Sequence, residues 1–149
     1  MIFLSSFLMI GCNRSGEQEV VVVPKGFTGY VIIIFNQENG QPVKYDGKKR
    51  VYEVPPNGIL KTQFNVNDGL RDFTEYYYGL IAPENKLASF VDVEKIPKDK
   101  KVGFMGATGT VKKNGKSTER VKFSEFYIGT NSDIEKAKKL VEKLNIANL

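Results

Sequence analysis

The sequence predicts a mainly β protein: an antiparallel β-sandwich carrying one amphipathic helix at its C-terminus. Three observations lead there. Runs of β-branched and aromatic residues recur roughly every 8–12 residues, each bounded by Gly, Pro, Asn or Asp. Lys113-Asn114-Gly115-Lys116 stands between two such runs, and Asn-Gly in that setting is the strongest short-range hairpin signal. Beyond Asn131 the apolar period lengthens from that of a strand to that of a helix.

The first element is an address. Residues 1–11 read Met-Ile-Phe-Leu-Ser-Ser-Phe-Leu-Met-Ile-Gly, without a charge, and after Cys12 the chain turns polar. Such a stretch is too short for a bilayer, which needs about 20 residues, and has the length of a signal-peptide apolar region. Met9-Ile10-Gly11-Cys12 resembles a bacterial lipoprotein cleavage box, in which the peptidase cuts before a cysteine already carrying diacylglycerol. That resemblance implies a signal segment over 1–11, lipidation of Cys12 and membrane attachment through that lipid. It also implies a flexible tether to residue 19. Asn13 stands where an aspartate would favour retention in the inner membrane, so the outer membrane is the expected destination in a cell that has one. Three features depart from the pattern: no Lys or Arg precedes the apolar run, the leader is shorter than is usual, and Met9 occupies the usual leucine position. A start codon further upstream would explain the first two. The alternative is a free cysteine buried at the end of an ordinary element. The abrupt change of polarity at Cys12 favours the anchor.

One domain is expected over 20–149. Val20–Val23 is a strand ended by Pro24, and Val31-Ile32-Ile33-Ile34-Phe35 has the unbroken apolar texture of a strand buried on both faces. Runs 50–54 and 59–64 flank Pro55-Pro56-Asn57-Gly58, the spacing of a hairpin with a four-residue connection. Run 74–81 is followed by Pro83-Glu84-Asn85 and then by 87–93, its expected partner; 108–112 and 120–128 flank the Asn-Gly turn. Ser132 and Glu135 have capping-box spacing. From there Ile134, Ala137, Leu140, Val141 and Leu144 form the apolar stripe of a helix over 131–145. The stripe lacks Trp and Phe, so it is expected to cover the sandwich and not to lie on a membrane.

Composition narrows the chemistry. The 149 residues include no His and a single Cys, which removes Ser-His-Asp and Cys-His catalysis, internal disulfides and Cys-rich zinc sites. No cofactor or metal is expected. Gly115-Lys116-Ser117 is not a phosphate loop, because Thr110 stands where that motif needs glycine. Gly103, Gly106 and Gly109 lack dinucleotide spacing and read as a bulged or closely packed strand. Among acids, Asp72 lies near Glu75, and Asp92 and Glu94 are expected on one strand face. Either pair could serve glycoside hydrolysis, yet solvated surface charge is the simpler reading. Tyr76, Tyr77 and Tyr78 alternate along a strand, so one ring is expected inside and another near the surface. An exposed tyrosine suits protein or sugar recognition, whereas aromatic β propensity explains the run without a ligand.

Charge is uneven. Residues 1–91 carry 9 basic and 9 acidic side chains and residues 92–149 carry 13 and 8, so the whole net charge of +5 lies in the last segment. No nucleic-acid-binding signature accompanies it, and a solvated basic face is the expectation.

Gly26-Phe27-x-Gly29-x-Val31-x-Ile33, Gly40-x-Pro42, Tyr45, Arg50, Tyr52, Val54-Pro55-x-x-Gly58 and Thr62 together resemble a family of bacterial lipoproteins of unknown function. They are similar, more distantly, to prealbumin-like domains of surface proteins. The resemblance spans roughly 20–69 and consists of turn and core positions. It implies a prealbumin-like sandwich and lipid anchoring, and it brings no catalytic residues. The functional expectation is a non-catalytic envelope module that binds a protein or glycan, with Tyr76–Tyr78 as its candidate surface. A carboxylate-based hydrolase and a structural or inhibitory lipoprotein are the alternatives.

Overall fold

The computed structural model of the protein describes residues 15–116 and 118–149. Among these, nine strands and one α-helix follow one another: β1 (Glu19–Val23), β2 (Gly29–Ile34), β3 (Tyr45–Asp46), β4 (Lys49–Glu53), β5 (Ile59–Lys61), β6 (Glu75–Tyr78), β7 (Lys86–Phe90), β8 (Val102–Lys112), β9 (Arg120–Gly129) and α1 (Asn131–Val141). The strands form one continuous sheet in the order β3-β4-β1-β6-β7-β8-β9-β2-β5. β7 is the junction: it meets β6 at Tyr76–Leu87 and Tyr77–Lys86, then β8 over Ala88–Phe90.

The two halves of this sheet share a core. Val21, Val23, Tyr52 and Tyr76 from β1, β4 and β6 cluster with Val31, Ile33, Leu60, Phe126 and Ile128 from β2, β5 and β9. That is sandwich-like packing of a mainly β chain. The alternate side chains of β2, Ile32 and Ile34, enter a second cluster with Phe104, Phe123, Tyr127 and the helix residues Ile134, Ala137 and Val141. β2 is therefore buried on both faces, as its unbroken apolar run predicts. The helix covers the sheet, and its stripe is narrower than the sequence implied: Leu140 is exposed. The cap also sits two residues earlier than Ser132 and Glu135 would place it. Thr130 Oγ1 accepts from Asp133 N at 3.3 Å, and Asp133 Oδ2 accepts from Thr130 N at 3.0 Å. Regular helix stops at Val141, and a 3-10 turn at Ile146–Asn148 follows.

Pairing is mixed, not purely antiparallel. The hairpins β6–β7 and β8–β9 form as predicted, the latter around Asn114 and Gly115, both at positive φ. The predicted hairpin across Pro55–Gly58 does not form. β4 pairs parallel to β1 (Val20 opposite Val51), and β5 pairs parallel to β2 (Ile32 opposite Ile59). The turn carries the chain from one half of the sheet to the other instead of folding it back. Gly58, at φ +77°, then lies so close to the Tyr30 carbonyl that a Cβ would overlap it.

Residues 15–19, read from sequence as tether, belong to the folded body. Ser15 bridges to Leu70, Gly16 N donates to Leu70 O at 2.8 Å, and Asn67 brackets Glu17 by accepting from its N–H and donating to its carbonyl. Their polar side chains looked like linker because their partners lie some fifty positions away in sequence.

Candidate functional site

Cys12, the expected lipidation site, and residues 1–11, the expected signal segment, lie outside the described residues. The three tyrosines lie within them, and they do not form a recognition surface. β6 runs between β1 and β7, so both of its edges are paired. Tyr76 is wholly buried, edge-on to Phe126 at 6.0 Å between ring centres. Tyr77 points to the opposite face and packs with Val20, Val22 and Val51. Tyr78 is half-buried and donates its hydroxyl to Phe27 O at 2.9 Å. Alternation along the strand is as expected. The expected exposure falls to the half-buried Tyr78, because Tyr76 and Tyr77 each enter a buried cluster, one on either face of the strand.

The other acidic pair is also relocated. Asp92 and Glu94 fall in a 3-10 turn and not on a strand: Asp92 Oδ1 accepts from Glu94 N at 3.1 Å and Oδ2 pairs with Lys95 at 3.4 Å. This is a local cap. Among the described residues no group of three His, Cys, Asp or Glu side chains could hold a metal.

What the fold does build is an open groove of about 850 Å³ along the start of β6 and β7, lined by Gln18, Lys49, Asp72, Phe73, Glu75 and Lys86 among others. Glu75 is its centre. Strand register places it beside Val20 of β1, with its side chain on the face opposite the core. Lys49 Nζ donates to Glu75 Oε1 at 2.8 Å, the Tyr77 hydroxyl donates to Oε2 at 2.7 Å, and Lys86 Nζ stands 3.5 Å from Oε2. Burial works to raise the Glu75 pKa, but the Lys49 and Tyr77 hydrogen bonds and the two ammonium charges together hold it below its ordinary value. Burial and the bond to Glu75 push the Tyr77 hydroxyl up to about 12, so it stays a donor. The groove thus presents lysines, the carboxylates of Asp72 and Glu75, and the exposed Phe73 ring.

The depressed Glu75 pKa sets a pH dependence. A carboxyl with a lower pKa folded than unfolded contributes stability above its unfolded value, near 4.5, and loses it as pH falls further. Urea midpoints measured between pH 7 and 3 should fall more steeply for the wild type than for Glu75→Gln. Parallel curves would show that the lysines do not stabilise the carboxylate.

Beside the groove lies a cluster the sequence reading missed. Glu19, 1% exposed, opens β1. Its carboxylate accepts from Tyr52 Oη at 3.1 Å, Asn67 Nδ2 at 2.9 Å, Arg71 Nε at 3.1 Å and Thr74 Oγ1 at 3.4 Å. Burial and the Glu19 charge drive the Tyr52 pKa well above its ordinary value, so Tyr52 remains neutral. Two residues earlier, Glu17 pairs with Arg50 and accepts from Tyr45 Oη at 3.1 Å. The one sequence signal was a carboxylate heading a run of four valines, where a buried strand leaves little room for charge. These groups are saturated by one another. They brace the end of the sheet beside the groove.

No curated protein matches the chain. Among solved structures, a candidate lipoprotein of Bacillus anthracis is similar in fold, with a TM-score of 0.52 at 12% identity over 80% of this chain and 75% of that one. Residues 15–137 match a family of unknown function (DUF6843). That span runs from the bridge at Ser15 through both halves of the sheet and into α1, and the chain belongs to this family.

Proposed function

We propose that the protein is a lipid-anchored, non-catalytic module of the bacterial cell envelope that binds a protein or glycan partner in the Lys49–Glu75–Lys86 groove. The anchor rests on Cys12 at the junction of an uncharged apolar run and a polar segment, and on the likeness in fold to a candidate lipoprotein. Asn13 favours the outer membrane where the cell has one. The observation that carries the non-catalytic reading is the state of Glu75. A general acid working near neutrality needs a raised carboxyl pKa, and Glu75 is held low between two lysines. Polar groups already oriented by one another can instead exchange partners with a polar ligand at small ordering cost.

A carboxylate hydrolase is the second reading, because Asp72 and Glu75 line the same groove. One comparison separates the two. Envelope extracts are passed over the immobilised wild type and over Lys49→Gln/Lys86→Gln. Loss of a specific partner in the variant supports binding at the groove, and identical profiles remove the groove from the claim. Turnover of an envelope glycan that disappears in Glu75→Gln would establish the hydrolase. Metabolic labelling with an alkyne fatty acid, wild type against Cys12→Ser, tests the anchor, and equal labelling of the two refutes it.

A further inference from the structure

We propose that the end of the domain carrying Leu70 and Phe73 is seated on the bilayer surface, both side chains entering the layer between headgroups and acyl chains. The proposal rests on the reading of Cys12 as the lipid anchor and adds to it an orientation and a contact surface.

The argument begins with reach. Only Asn13 and Arg14 separate Cys12 from Ser15, and Ser15 is already bridged to Leu70. A chain extends at most about 3.6 Å per residue, so Ser15 stands within about 11 Å of the anchored cysteine. A compact chain of this length has a radius of gyration of roughly 15 Å. The link is shorter than the body it holds, so the domain cannot turn its far end to the membrane. The surface around Ser15 is the one that meets lipid.

That surface is apolar where it protrudes. Leu70 is 82% exposed, the most of any large apolar side chain among the described residues, and Phe73 is 64% exposed. Between them Arg71 turns inward, its Nε on Glu19 and its Nη1 donating to Asn67 O at 3.1 Å, which holds the loop while Leu70 and Phe73 stay outside. Tyr45, nearly half exposed, lies at the same end with its hydroxyl on Glu17, and a ring with a polar tip suits the membrane interface. Three cations there are engaged, Arg50 with Glu17, Lys49 with Glu75 and Arg71 with Glu19, while Lys48 is exposed beside Phe73 in the groove. What protrudes furthest toward a bilayer at this end is apolar. A single exposed leucine is ordinary on any protein surface. Here the two protruding side chains coincide with the point where the link leaves the fold, and the link length is an independent reason for contact. The opposite end is a built-in control. Leu80 is also strongly exposed, but it follows Gly79, whose N–H donates to Val23 O at the far end of β1.

The chain has no tryptophan, so Phe73→Trp and Leu80→Trp each introduce a single reporter at an exposed site. The full-length lipidated proteins are reconstituted into vesicles of phosphatidylethanolamine and phosphatidylglycerol whose acyl chains are brominated, and emission is compared with unbrominated vesicles. The Phe73→Trp protein should shift to the blue and lose most of its emission, and the Leu80→Trp protein should keep its own. Equal quenching of the two, or no quenching at position 73 in protein that carries lipid by intact mass and floats with the vesicles, overturns the seating while leaving the anchor intact. A blue shift without quenching assigns this end to a protein partner or a second copy and overturns it as well. If wild-type protein isolated from bacterial membranes carries no lipid on Cys12 by intact mass, the anchor reading is refuted and the seating falls with it.

Discussion

Replacing Arg71 by methionine is expected to cost about 3–5 kcal/mol of folding stability, the usual consequence of removing one partner from a buried ion pair. The Glu19 carboxylate is 2% exposed in its side chain and Arg71 only 15%, so water cannot take over the lost cation. Tyr52, Asn67 and Thr74 still donate to Glu19, but neutral donors do not balance its charge. Against a total stability of about 5–15 kcal/mol for a typical domain, the loss is large. The check is a cycle of urea titrations on wild type, Arg71→Met, Glu19→Gln and the double variant. The double variant should lose clearly less than the two single losses summed, because no buried charge is left to compensate. If Arg71→Met unfolds within about 1 kcal/mol of wild type, the usual net value of one hydrogen bond, the neutral donors suffice and the ion pair is incidental.

The second large effect is expected at Gly103. A Cβ there would overlap Cγ and Cδ2 of Tyr76. The ring cannot swing clear, because it is fully buried and its far side meets Phe126 edge-on. Gly103→Ala should therefore cost about 3 kcal/mol, at the upper end of the usual range for overpacking. The same strand repeats the device, since Tyr127 lies over Gly106 and Phe123 over Gly109. Tyr76→Leu in the Gly103→Ala background should recover part of the loss by vacating the contact. A thermal midpoint unchanged by Gly103→Ala would show that β8 can shift away from the ring.

The residues by themselves determined the local elements. The glycine series of β8 reads as close packing, and the structure supplies the rings. Val31–Phe35 reads as a strand buried on both sides and is one. Asn114-Gly115 specifies its hairpin because both residues accept positive φ, a property of the residues and not of their surroundings. The helix is legible from its period, although Ser132 and Glu135 have the spacing of a cap and Thr130 with Asp133 performs it.

Tertiary structure decided everything that depends on partners distant in sequence. Pro55–Gly58 is a turn in either topology; whether β4 folds back on β5 or pairs with β1 depends on competition among strands that no local pattern records. Tyr76–Tyr78 could show that its rings alternate but not that Tyr76 meets the facing half of the sheet while Tyr77 packs among the valines of β1 and β4, because burial of a strand is conferred by its neighbours. Residues 15–19 carry the composition of a linker and become structure only when Asn67, Leu70 and Arg71 arrive from the other end of a long loop. The groove follows the same rule. Lys49, Glu75 and Lys86 are unremarkable charges along the chain, and one site forms from them because β1 stands between β4 and β6 while β7 closes the far side, so that the desolvated carboxylate finds two cations within reach.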